Sequence, residues 1–233
     1  MTVSEPSRTD ISKLFDHIAT RYDIFNRISS LGFDLVWRRR LASVLKGQKN
    51  IKILDIATGT GDVLLSLFDA GCDISSAVGI DTSAEMLAIA KGKLSARQVS
   101  LIQTDAVNLV FADNDFDVIT CAFGIRNFTD TDAALKQMLR VLKPAGKVLI
   151  LEFSMPSNRV ARLLYLFYLR YIIPLLGKII TGNFAAYRYL SKTIQTFPAG
   201  QDFCRLMQKA GFVNVSAVPQ TFGVVTLYSA VKS

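Results

Sequence analysis

One histidine, His17, and three widely separated cysteines, Cys72, Cys121 and Cys204, are the whole supply of imidazole and thiol in 233 residues. A zinc site or disulfide framework cannot be read from so few, so no metal is expected and a reducing cytoplasm fits. Ser-His-Asp and Cys-His mechanisms are left almost no room. His17 reads as a satisfied surface or core residue, and Cys121, inside an apolar run, as core. The opening MTVSEPSRTD lacks an apolar stretch, so neither signal peptide nor anchor is read there, and residues 1–8 read as a frayed terminus. Internal repeats and low-complexity segments are absent too. The last absence is of one charge sign. Residues 153–201 contain no Asp or Glu, yet carry Arg159, Arg162, Arg170, Lys178, Arg188 and Lys192.

Half of the residues are hydrophobic and the net charge is +8. Such a chain is long and apolar enough to bury a large core, and its charge attracts something anionic: nucleic acid, a membrane surface or an acidic substrate. The acid-free segment interleaves its cations with Leu163–Leu169, an aromatic and aliphatic run. Arg170 and Pro174 interrupt that run, which reads as too short to span a bilayer. It suits either contact with a membrane surface or a lid over a lipid-tailed substrate, against the plainer alternative of a helical pair packed on a sheet edge. Arg38–Arg40 read as a solvated helix face.

The most informative stretch is IKILDIATGTGD, residues 51–62. An apolar strand runs into a Gly59-Thr60-Gly61 turn, and an apolar helical pattern follows through Val63, Leu64, Leu67 and Phe68. A glycine turn lets a ligand touch backbone, and the next helix offers free N–H groups. A second strand, 77–80, delivers Asp81 where a ribose diol is held in such units. Leu64 stands where a dinucleotide fingerprint needs its third glycine, which disfavours a nicotinamide reductase and suits a nucleoside with a short tail.

Helical spacing runs from about Asp10 to Val44, with Trp37 near its end. Thr82 and Glu85 form a capping box for a helix over 84–94. Strands are predicted at 99–103, 117–123 and 148–153. Asp130 or Thr131 caps a helix between the last two, which Pro144 stops. A helix over 202–210 ends at Gly211, and 212–218 with 222–231 suit a closing antiparallel pair. This alternation predicts an α/β fold with an open, mostly parallel sheet between helices. Ligands bind beyond the carboxyl ends of such strands. Asp55–Gly61, Asp81, Asp105 and the Phe123–Asn127 turn all fall at those ends, so four turns are expected to converge on one cleft.

At these residues the chain resembles a class I S-adenosylmethionine-dependent methyltransferase, and more narrowly the UbiE/MenG family of quinone-ring C-methyltransferases. The similarity runs from about His17 to the C-terminus. It is carried by Tyr22, Asp23, Asn26, Ser30, Gly32 and Trp37, by the Phe123–Asn127 segment, by Arg140–Pro144, Gly146 and Glu152–Ser154, and by Tyr187–Leu190. Phe25, Asp34 and Ala145 depart from the pattern, where Met, His and Gly are usual. Position 34 is read as structural.

The resemblance implies a Rossmann-like, seven-stranded sheet with an antiparallel C-terminal pair. A single domain over 1–233 is expected, with an N-terminal helical region (1–50), a cofactor-binding core (51–153), a basic helical insertion or lid (154–200) and a closing helix and strands (201–233). It implies S-adenosyl-L-methionine held by Asp55, Gly59, Thr60, Gly61, Asp81, Asp105, Ala106 and Ala122. Arg126, Asn127 and Tyr187 are the expected catalytic residues. The expected substrate is a prenylated quinol, most specifically demethylmenaquinol, at the inner face of an anionic membrane; self-association is left open. The alternatives are a benzoquinol of the ubiquinone pathway, RNA or another small molecule, and a non-catalytic scaffold. Ala122-Phe123-Gly124-Ile125 replaces the Asn/Asp-Pro-Pro-Tyr/Phe signature of nucleobase amino-methylation, so nucleic acid is not expected.

Overall fold

Strand-forming apolar runs and amphipathic helical patterns alternate along the chain, and the computed structural model, which describes residues 11–233, turns that alternation into layers. The predicted frayed terminus at 1–8 and the side chain of His17 lie outside the described residues, as do the side chains of 11–15. Seven strands form one sheet: β1 (Ile51–Ile56), β2 (Ile74–Asp81), β3 (Val99–Gln103), β4 (Phe116–Ala122), β5 (Leu142–Phe153), β6 (Val213–Gln220) and β7 (Val225–Val231). Their order is β3-β2-β1-β4-β5-β7-β6. The first five run parallel, and β7 pairs antiparallel with both β5 and β6. The predicted topology is therefore present, including the closing pair.

The central strands are buried on both faces. Leu54, Ile56, Ile119, Cys121 and Ile150 pack into one apolar layer, and Ile53, Val118, Leu149 and Leu151 into the other. Helices α3 (Asp62–Asp69), α4 (Ala84–Lys93), α5 (Thr131–Val141) and α9 (Gln201–Ala210) join this sheet to its flanks. Ser83, not Thr82, caps α4, its hydroxyl accepting from the Met86 amide at 3.1 Å. Asp130 caps α5 through the Ala133 amide at 2.9 Å. That helix ends at Val141, before Pro144 is reached.

Two expectations about the helical regions change. The N-terminal pattern is broken into α1 (Ile11–Ser29) and α2 (Phe33–Ser43), because Leu31 and Gly32 adopt left-handed φ of 52° and 78°. The insertion is continuous where interruption was expected. From Arg159 to Thr181, α6 (Arg159–Phe167), a π-helical turn at Tyr168–Ile172 and α7 (Ile173–Thr181) make one 23-residue helix. Pro174 sits in the first turn of α7, directly after the π-turn has shifted the hydrogen-bond ladder, so it does not break the rod. Length and composition alone would let this helix cross a bilayer. Tyr165, Leu169 and Ile173 instead pack with Phe25 of α1 and Tyr187 of α8 (Phe184–Thr196) in a third apolar cluster. α1 and this helical cover close over the carboxyl ends of the strands.

Candidate active site

Asp81 ends β2, and its carboxylate is pinned by the turn it faces. Oδ2 accepts the Gly59 amide at 2.8 Å and Oδ1 the Ser83 amide at 2.9 Å. A carboxylate has about four acceptor positions, so the group keeps acceptor capacity for a ligand hydroxyl. Burial raises the pKa of this group. Gly59 and Gly61 hold left-handed φ of 55° and 83°, which shape the turn and start α3. Gly124 brings the β4 turn against the β1 turn so closely that a Cβ there would lie 2.4 Å from that of Ala57.

These turns enclose a cavity of about 330 Å³ at the ends of β1, β2, β3 and β4. Gly59, Asp81, Asp105, Ala106 and Ala122 are on its wall. Asp105 also caps its own turn through the Val107 amide at 3.2 Å. Asp55, Thr60 and Gly61 stand behind the wall. Asp55 is fully buried, accepting from Thr58 and Thr120 hydroxyls at 2.6 Å each, and burial pushes its pKa up to about 6. Thr60 donates at 2.6 Å to Asp23 of α1, fastening the N-terminal helix over the turn. One carboxylate with spare acceptor capacity, a second after the adjacent strand β3 and apolar flanks at Ile80, Met86 and Phe128 fit an adenosyl group with a short tail. Those residues would hold S-adenosylmethionine.

A second cavity, about 90 Å³ and mostly apolar, shares Tyr22, Phe123 and Asn127 with the first. It lies beneath the helical cover, and Arg126 and Tyr187 are on its wall. Arg126 follows β4 in a short 3₁₀ turn, Ile125–Asn127. Its Nη1 pairs with Glu152 Oε1 at 2.7 Å and also donates to the Phe123 carbonyl, while its buried Nε has no partner among the described residues. The Tyr187 ring lies 3.9 Å from that of Phe25, and burial pushes its phenol pKa well up. The structure thus brings Arg126, Asn127 and Tyr187 to one chamber and the five wall residues to the other, with Asn127 at the junction.

The model of the ubiE/COQ5 methyltransferase family matches residues 1–232. The chain belongs to that family. Among relatives of this ubiE/COQ5 member, the demethylmenaquinone methyltransferase of Thermus thermophilus is 42% identical over 92% of this chain and 98% of its own length. The ubiquinone/menaquinone biosynthesis C-methyltransferase UbiE of Geotalea daltonii is 41% identical over 95% and 96%. Solved structures agree in fold: an S-adenosylmethionine-dependent methyltransferase from Thermotoga maritima has a TM-score of 0.66 at 18% identity, covering 95% of this chain and 99% of its own. A Haemonchus contortus phosphoethanolamine N-methyltransferase, in complex with phosphomonomethylethanolamine and S-adenosylhomocysteine, has a TM-score of 0.67 at 18% identity, covering 99% and 60%.

In this ubiE/COQ5 chain the residue at the unusual position 34 is structural and more. Asp34 is buried, accepts the Ser30 hydroxyl at 2.9 Å, and pairs with Arg38 at 2.7 Å and Arg27 at 3.2 Å. Arg38 is consequently not part of a solvated face; only Arg39 and Arg40 are exposed. Its Nη2 lies 3.5 Å from Asp62, which pairs with Lys93, and Lys93 binds Asp23 at 2.8 Å and Thr60 at 3.0 Å. This polar chain joins the wall of the apolar chamber to the Gly59–Gly61 turn. Tyr22, on the walls of both cavities, is the other residue that sequence reasoning left without a role. The four-residue spacing of Asp34 and Arg38 was a readable signal for their pair.

Proposed function

We propose that this chain transfers the methyl group of S-adenosyl-L-methionine to a ring carbon of a prenylated quinol, with demethylmenaquinol as substrate and menaquinol as product. As a member of the ubiE/COQ5 family it is an S-adenosylmethionine-dependent C-methyltransferase of quinone biosynthesis. The head group is the finer part of the reading, favoured by relatives named demethylmenaquinone methyltransferase in Thermus thermophilus and Bacteroides fragilis. The observation that carries it is the meeting of two unlike cavities at Tyr22, Phe123 and Asn127: a more polar one with a nucleoside-type carboxylate and a more apolar one floored by aromatic rings.

In this reading Asp81 accepts the ribose hydroxyls, Asp105 and Ala106 border the adenine, and Gly59 and Ala122 border the methionine end. Asp55, Thr60 and Gly61 hold the turn in shape. The bound cofactor supplies an electrophilic methyl group on a sulfonium. What the chain must add is alignment in a water-free chamber and a ring carbon made nucleophilic by charge on the neighbouring oxygen. Arg126 suits that second task. Its guanidinium stays protonated, so it stabilises a quinolate oxygen rather than removing a proton, and with Asn127 it orients a water that takes the displaced ring proton. Tyr187 walls the chamber with a phenol that burial keeps neutral.

We also propose that the outer face of the α6–α7 helix rests on an anionic membrane at its cytoplasmic side, from which a lipid-tailed substrate enters. Leu163, Leu164, Tyr171 and Ile179 are each more than 60% exposed there, beside exposed Arg159, Arg162, Arg170 and Lys178. The deciding experiment is an assay with labelled cofactor against prenylated naphthoquinol, benzoquinol and RNA. Transfer to naphthoquinol in preference is expected; label in RNA alone, or in none of the three, overturns the reading.

A further inference from the structure

The sheet ends present two buried guanidiniums to the apolar chamber. Arg126, on the β4 turn, is described above; Arg38 reaches the same wall from α2. Both are 5% exposed, and among the described residues neither buried Nε–H has a hydrogen-bond partner. A guanidinium has five donors in a fixed fork, so Arg38, anchored through both Nη atoms, and Arg126, anchored through Nη1, each still have a donor to offer. Arg38 is anchored by Asp34 and Asp62, Arg126 by Glu152 and the Phe123 carbonyl. The two cations lean on one aromatic floor. Arg38 Cζ lies 5.8 Å from the Phe123 ring centre and Arg126 Cζ lies 5.3 Å from that of Phe153, with those rings 4.6 Å apart. Both cations also act on the Tyr22 phenol, favouring its charged form against burial.

We infer that Arg38 is a second substrate-binding residue, and that Arg38 and Arg126 hold the two para oxygens of a 1,4-quinol, with Arg126 at the oxygen beside the methylated carbon and Arg38 at the opposite one. This inference rests on the quinol reading above. A dihydroxylated ring lying on Phe123 and Phe153 carries its oxygens on opposite edges, and the chamber supplies one cationic donor from each of two elements, α2 and the β4 turn. Unpartnered donors in a buried site discriminate strongly against a ligand lacking the matching oxygen, because they are then left unpaired.

The test compares two acceptors: a prenylated 1,4-naphthoquinol kept reduced under argon, and the same compound with hydrogen in place of the hydroxyl remote from the methylated carbon. The wild-type enzyme should prefer the quinol by at least about tenfold in kcat/KM. Arg38→Gln should lower kcat/KM for the quinol by a similar factor, chiefly through KM, and leave the one-oxygen compound nearly unaffected, so that the preference collapses. Arg38→Lys keeps the charge beside Asp34 without the fork, and should lose most of the preference while remaining folded, which makes it decisive if the Gln variant melts. A wild-type enzyme indifferent to the second oxygen overturns the inference. So does an equal loss on both acceptors, or full preference retained in the folded Lys variant. Methylation of neither acceptor by the wild type overturns the quinol reading itself.

Discussion

Arg126 and Glu152 form an ion pair of 2.7 Å in which neither side chain is more than 4% exposed. Glu152 is held in turn by the Arg126 amide at 3.3 Å and by its neighbour's amide, Phe153, at 2.8 Å. The pair braces the β4 turn against β5 and aims the guanidinium at the chamber. Arg126→Lys should therefore lower turnover at least about tenfold, or roughly 1.4 kcal/mol in barrier, with cofactor affinity nearly constant. Arg126→Ala and Glu152→Gln each strand a buried partner and should cost about 3–5 kcal/mol of stability. Steady-state rates, cofactor titration and thermal melts separate the two roles. Normal turnover in a folded Arg126→Lys would remove Arg126 from the mechanism.

Asp81→Ala should weaken S-adenosylmethionine binding, since hydrogen bonds to a charged group contribute about 1.5–3 kcal/mol each. Calorimetric titration checks this, and unchanged affinity would sink the assignment. Because burial raises the Asp81 pKa, wild-type affinity should begin to fall, as pH is lowered, above the ordinary carboxylate range.

Asp55 carries a pH signature of its own. Its folded pKa of about 6 lies above the unfolded value of 3.8. The folded state thus binds more protons between those values, and stability falls as pH rises from about 4 to above 6. The full effect is about 3 kcal/mol. Asp55→Asn should flatten this part of the profile, read as the difference between wild-type and variant denaturant midpoints at pH 4 and pH 7. Parallel profiles would show that Asp55 is not the group responsible.

The outer face of α6–α7 should bind anionic vesicles and release them as salt screens the cations. Replacing Arg159 and Arg162 with Gln should weaken the electrostatic part, and replacing Leu163 and Leu164 with Ser the apolar part. Sedimentation with anionic and neutral liposomes measures both. Equal partitioning to the two would reject the charge component, and no partitioning to either would leave the face as packing surface only.

Local features of the chain carried much of the fold and part of the candidate site. A strand followed by Gly59-Thr60-Gly61 and an apolar helix predicts a βα turn from a few adjacent residues. Asp81 and Asp105 follow from the strand ends alone, because in a parallel sheet those ends share one edge. The seven strands and the antiparallel closure were legible for the same reason. Their bounds moved by a few residues, and the α4 cap shifted from Thr82 to Ser83, whose hydroxyl reaches Met86.

What tertiary structure alone decided involves partners far apart in sequence. Arg38 looked solvated in a run of three arginines, and its burial depends on Asp62, on the neighbouring α3, as well as on Asp34 one turn away. The Thr60 hydroxyl donates to Asp23 of α1, a partner that the turn motif itself does not disclose. The aim of Arg126 depends on Glu152 from the adjacent strand. Hydrophobic period and turn chemistry are short-range and can be read along the chain. The charge state, exposure and direction of a buried side chain are set by whichever distant groups the fold brings to within a few ångströms, because only there is the lost hydration replaced.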